Sequence, residues 1–154
     1  MPIHRWTIPK GLYTRSDKAA IAKAITAVYA GLPKFYVVVI FNEREEGDFY
    51  WGEREVGAEG EGKFVSIEVE HLARTFGTAQ RRKDFMDYYE GAISPWTKGR
   101  GVNWELQVME GGERDLWQMN ATAPPKARSI EEFIWKKENR VVSAKEMKAI
   151  KARL

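Results

Sequence analysis

The stretch Pro2-Ile3-His4-Arg5-Trp6-Thr7-Ile8 sets the frame for the fold. Strand alternation puts Pro2, His4, Trp6 and Ile8 on one side and Ile3, Arg5 and Thr7 on the other, and Pro9-Lys10-Gly11 ends the run. Working outward, Ser16 is the expected N-cap of a helix with Asp17 in its first turn. Ile21, Ile25, Val28 and Leu32 recur at helical spacing, and Gly31 and Pro33 stop the helix. Phe35-Tyr36-Val37-Val38-Val39-Ile40-Phe41 then reads as a strand buried on both faces, the central strand of the first half. A connection of this length makes the two strands parallel neighbours joined by a right-handed crossover.

The second half repeats the order. Lys63 to Glu70 alternates as a strand, Thr78 to Ile93 is a helix with Phe85, Tyr89 and Ile93 on one face, and Val102 to Val108 alternates again. Two consecutive βαβ units predict an α+β fold, a four-stranded mixed sheet with two helices on one face. What covers the other face then decides oligomeric state. Between the halves, Gly47 to Gly62 reads as a loop or short hairpin, and its consecutive aromatics Phe49, Tyr50 and Trp51 are expected to close over a pocket or contact a neighbouring subunit. The tail carries two capping boxes, Ser129-x-x-Glu132 and Ser143-x-x-Glu146, each opening a short helix. Phe133, Ile134, Met147, Ile150 and Leu154 give these helices an apolar side, which packs on the domain or on a partner without chemistry of its own.

The 154 residues, 44% of them hydrophobic, suffice for one buried core. No run approaches the roughly 20 apolar residues of a membrane span, and the first residues lack the apolar run of a signal peptide, so a cytoplasmic protein is expected. The absence of cysteine excludes a disulfide framework, a thiolate nucleophile and a Cys-type zinc site. With 25 basic against 22 acidic residues, the net charge of +3 is too small to imply a nucleic-acid partner; Glu43 to Glu61 is acidic, and the surplus of base lies mostly in the tail from Lys126 to Leu154, where a solvated helical face explains it.

Few groups remain for chemistry. His4 and His71 cannot form a metal site alone, and no nucleophile-elbow pattern is present, so neither metal nor other cofactor is expected. Gly99-Arg100-Gly101 is too short for a phosphate cradle. Arg81-Arg82-Lys83 opposes the helix dipole in a first turn and is most simply solvated. Two features stand out. Pro2 behind Met1 permits methionine removal, which would free a secondary amine able to act as base or nucleophile; proline also occurs here for translational reasons alone. His71-Leu72-Ala73-Arg74 lies where the second strand pair begins its crossover, and if it forms a helical turn His71 and Arg74 face one way as an anion site; the alternative is a strand-end histidine and a surface arginine.

The proline-led first strand, the doubled βαβ unit and an arginine after the third strand resemble the tautomerase superfamily, most closely its branch similar to cis-3-chloroacrylic acid dehalogenase. Pro2-Ile3-His4, Ala22-Lys23-Ala24-Ile25-Thr26, Lys63-Phe64-Val65, His71, Arg74 and Trp104 carry the likeness, over roughly residues 2 to 120. The resemblance implies a tautomerase-like domain over 1–123 with a helical extension over 124–154, a homotrimer, a small carboxylate substrate, and Pro2 as the catalytic residue. It places Arg74 as carboxylate anchor, with His71, Tyr29 and Trp117 shaping the pocket. Against the dehalogenase pattern, a helix histidine falls on Tyr29, one of two arginines on His71, and the water-activating tyrosine and glutamate near Leu106 and Trp117, with Glu113 or Asp115 close by. Hydrolysis needs a base to activate water, whereas tautomerisation needs only a base and a cation. The expected activity is therefore keto–enol tautomerisation of a small 2-oxo acid. Hydration or dehalogenation of 3-haloacrylate-like acids and a silent trimeric binding protein are the alternatives.

Overall fold

The computed structural model of the chain describes residues 1–72 and 74–153, with the side chain of Glu61 left aside. Strands β1 (Pro2–Pro9) and β2 (Val38–Arg44), the hairpin β3 (Tyr50–Trp51) and β4 (Arg54–Glu55), and strands β5 (Phe64–Leu72) and β6 (Asn103–Gly111) alternate with α1 (Arg15–Val28) and α2 (Ala79–Ile93). Helices α3 (Ile130–Glu138) and α4 (Ala144–Lys151) close the chain. The main sheet has the order β2-β1-β5-β6. β1 runs parallel to β2, β5 parallel to β6, and the central pair β1 and β5 is antiparallel.

The core follows from the alternation. His4, Trp6 and Ile8 of β1 and Val65, Ile67 and Val69 of β5 are fully buried, in a register that sets His4 beside Val69 and Trp6 beside Ile67. Ile21 and Ile25 of α1 and Tyr89 and Ile93 of α2 cover that face. Each fully buried aliphatic or aromatic side chain contributes roughly 1.5–3 kcal/mol of burial. The buried His4 is held by Tyr89, whose hydroxyl lies 3.0 Å from Nδ1, and burial pulls its pKa down to about 3, so it packs as a neutral ring.

Three expectations are corrected. The N-cap of α1 is Thr14: its hydroxyl accepts from the Asp17 amide at 3.1 Å while the Asp17 carboxylate accepts from the Thr14 amide at 3.0 Å, a reciprocal box that leaves Ser16 inside the first turn. The helix also ends earlier, at Val28 with Tyr29 as C-cap, so Leu32 packs beyond it. β2 is an edge strand with half-exposed side chains, because β1 has β5 on its other side and takes the centre. Phe35 and Tyr36 leave the strand in a 3-10 turn and join a second apolar cluster.

That second cluster is built by the tail. Trp135 and Ile134 of α3, Val142, Tyr36 and Trp117 are buried together, with Met1, Leu32, Leu72, Met147 and Ile150 packed against them. Trp135 donates from Nε1 to Val142 O at 3.2 Å, and Asn139, at φ 49°, ends α3 in the left-handed conformation and accepts from the Phe35 amide. Phe133 faces outward, 59% exposed, and Leu154 lies outside the described residues. The hairpin lies at the Pro9 end of β1, where Trp51 stacks on Phe64 at 4.7 Å. In a single chain its aromatics are therefore far from Pro2. No helix among the described residues is long and apolar enough to cross a membrane.

Candidate active site

The N-terminal end of β1 meets the C-terminal end of β5. Pro2 pairs with His71, and the ladder continues to Met1, whose carbonyl accepts from the Leu72 amide at 3.1 Å and whose amine donates to Leu72 O at 3.0 Å. A cavity of about 230 Å³ opens there, lined among others by Met1, Pro2, Tyr29, His71, Arg74 and Phe76. Four of the five residues expected at the site thus share one cavity. His71 and Arg74 reach it from the end of a strand and the segment after it, without a helical turn; Ala73 between them lies outside the described residues. Trp117, the fifth, stands behind the cavity in the second cluster.

Tyr29 reaches the site because α1 ends on it, and its hydroxyl lies 2.8 Å from His71 Nε2. Burial raises the Tyr29 pKa, so the phenol stays protonated. His71 is buried, and burial, with the neighbouring amine, lowers its pKa to about 4; Glu110 opposes the shift. It is a neutral ring at physiological pH. The chain's amine is affected in the same way. Burial, then the charges of Arg74 and Arg114, pull it down to about 5, against a smaller upward pull from Glu132.

Glu132 and Arg114, whose charges act on the amine, were not expected here. Glu132, whose side chain is 8% exposed, accepts from Arg74 Nη2 and, at 2.7 Å, from the Arg128 amide. In the sequence it passes for the last residue of a capping box, yet only half of that box forms: Ser129 caps the Glu132 amide, and the carboxylate turns to Arg74 instead. Ser143 and Glu146 form their box completely. Arg114 is held by the carbonyls of Pro124 and Pro125. Gly112, at φ 77° and pressed against Leu72, turns the chain out of β6 toward it. Glu113 and Asp115 on either side are exposed, and Leu106 packs against the main core, so none of the three replaces a water-activating group.

A larger depression of about 610 Å³ at the other end of β1 is lined by Lys10, Arg44, Glu45, Glu55 and Glu59 among others. Its lysine is paired with Glu45 at 2.7 Å, which raises the pKa and removes it as a base. Among the described residues no three His, Cys, Asp or Glu side chains are grouped to hold a metal ion.

A doubled βαβ fold whose first strand opens on a proline, beside half-buried cations, matches the tautomerase class. The chain belongs to the family described as "Putative oxalocrotonate tautomerase enzyme", which it matches over residues 1–140, α3 included. It is 35% identical to a probable enzyme from the thermophilic fungus Aspergillus fumigatus, covering 93% of this chain and 97% of that one, with a TM-score of 0.84. It is 33% identical to the protein RhCC from Rhodococcus jostii RHA1, covering 92% and 99%, with a TM-score of 0.83. A member of the cis-3-chloroacrylic acid dehalogenase family, N1, shares the fold at 18% identity and a TM-score of 0.65, covering 89% and 97%. No curated protein matches the chain by sequence.

Proposed function

We propose that the chain is a keto–enol tautomerase of a small 2-oxo acid, with Pro2 as general base once Met1 has been removed. The observation that carries this reading is the Met1 amine directly before β1, half-buried at a cavity that Arg74 lines, within the field of Arg114, and pulled down to about 5. A base must be neutral to accept a proton, and the environment that disfavours the Met1 ammonium would act on the Pro2 nitrogen one residue on. Arg74 and Arg114 against Glu132 leave one net positive charge, matched to a monocarboxylate. Arg74 gives Glu132 one of its donors and keeps others for the substrate. Tyr29 and the neutral His71 complete the wall.

The pH dependence tests this assignment. The rate should fall with pH below the amine's pKa, because the ammonium cannot take a proton. Glu132→Gln removes the one charge that favours the ammonium, so the acidic limb of kcat/KM should move to lower pH; Arg114→Met removes a cation and should move it higher. A limb that neither substitution displaces belongs to another group.

Glu132 also gives the hydratase or dehalogenase reading a carboxylate that its sequence pattern lacked. Its two oxygens are already engaged by Arg74 and the Arg128 amide, which makes it a poor water-activating base. Release of halide from 3-chloroacrylate would favour that reading.

We also propose that the protein is a homotrimer. The sheet face opposite α1 and α2 leaves Met109 54% and Ile40 40% exposed, and fused 4-OT, which shares the fold at 17% identity, forms a symmetric trimer. Sedimentation at the mass of a single 17.7 kDa chain would contradict this.

A further inference from the structure

The aromatic cluster behind the cavity holds two polar atoms that the fold does not use. Tyr36 Oη and Trp117 Nε1 are buried and have no hydrogen-bond partner among the described residues. The two residues are 1% and 4% exposed, and their rings meet edge to face at 5.0 Å. Burying such a donor without a partner is costly, and a donor kept in that state is a candidate for meeting a ligand. Met1 packs against this same cluster. The Tyr36 hydroxyl also lies within the fields of Glu132, Arg74 and Arg114, the three groups that act on the chain's amine. Burial raises its pKa, so it remains a donor at physiological pH.

We infer that loss of Met1 extends the cavity to the Tyr36–Trp117 wall, and that Tyr36 is a catalytic residue whose hydroxyl donates to the 2-oxygen of the substrate. This rests on Pro2 being the base. In the enolising direction the Pro2 nitrogen takes a proton from C3. The C3–H electron pair becomes the C2=C3 double bond, and the carbonyl π pair moves to the 2-oxygen. Tyr36 stabilises that oxygen while it carries charge, and the prolinium then returns the proton to it, so nothing is gained or lost. Arg74 and Arg114 hold the carboxylate.

The test uses protein with Met1 verified absent, comparing wild type, Tyr36→Phe and Pro2→Ala in phenylenolpyruvate ketonisation. Tyr36→Phe should lower kcat at least about tenfold while KM stays within about twofold, since the donor acts on charge that develops in the transition state. Its melting temperature should equal or exceed that of wild type, because the hydroxyl removed has no partner among the described residues. Full rate in Tyr36→Phe with a slow Pro2→Ala overturns the Tyr36 assignment and leaves the base standing. Full rate in both removes the base and the Tyr36 role with it. A melting temperature lower by more than about 5 °C would show that the fold holds the hydroxyl, which also overturns the assignment.

Discussion

Mature protein carrying Pro2→Ala is expected to lose roughly 100-fold or more in kcat/KM for phenylenolpyruvate ketonisation, the usual contribution of a positioned general base. Alanine also leaves an amine at the chain start, so the loss comes from how that amine is held. Proline's ring ties the nitrogen to the strand, and its lone pair points wherever β1 directs it. An alanine amine rotates freely and spends little time aimed at the substrate, a loss of orientation rather than of basicity. Pro2 is buried opposite His71, but the β1–β5 ladder above it, from Ile3 with Glu70 to Thr7 with Ser66, is independent of its ring. The variant should therefore fold, and stopped kinetics beside an unchanged circular dichroism spectrum would locate the loss in the chemistry. A rate within twofold of wild type would remove Pro2 from the mechanism.

Arg74→Ala is expected to damage both substrate binding and the fold. A hydrogen bond to a charged group contributes about 1.5–3 kcal/mol, so kcat/KM should fall roughly 10- to 100-fold, expressed mainly in KM because the carboxylate is held in ground and transition state alike. Stability should fall as well, by about 2–3 kcal/mol, because Glu132 is left almost buried without its cation. The figure lies below the roughly 3–5 kcal/mol of a fully buried broken pair because the Arg74 side chain is 35% exposed and partly screened. Combining Arg74→Ala with Glu132→Ala should restore much of the stability and none of the activity. Denaturant melts read the first and steady-state kinetics the second. Restoration of activity by the double substitution would show that Arg74 serves the fold alone.

The pattern of residues announced the sheet more fully than the site. Alternation at His4, Trp6 and Ile8 and at Val65, Ile67 and Val69 is a short-range signal with period two, and it marked both strands and divided their faces, one of which the core buries. Strand order is not short-range. The run from Phe35 to Phe41 is apolar enough for a central strand, yet its place is decided by whether β1 or β2 pairs with β5. Thr14 and Ser16 compete as N-caps on equal composition, and only the Asp17 carboxylate reaching back to Thr14 separates them.

The site divides the same way. Pro2, His71 and Arg74 sit at strand ends, where a reading of the chain looks for function, and Tyr29 came from the resemblance. Glu132, Arg114 and Tyr36 each carry a local explanation that hides them: a capping box, a basic residue between two acids, an aromatic in an apolar run. They become visible only when α3 folds back over Met1, a contact between residues more than 100 positions apart that no periodicity encodes.

The proposed chemistry depends on one atom, the Pro2 nitrogen, which is an amide while Met1 is present and an amine once it is gone. The most direct measurement compares phenylenolpyruvate ketonisation by two preparations of the same chain, one with Met1 retained and one beginning at Pro2, each verified by intact mass. The preparation beginning at Pro2 should be faster by at least roughly 100-fold, since an amide nitrogen cannot serve as the base. Equal rates from the two would contradict the account.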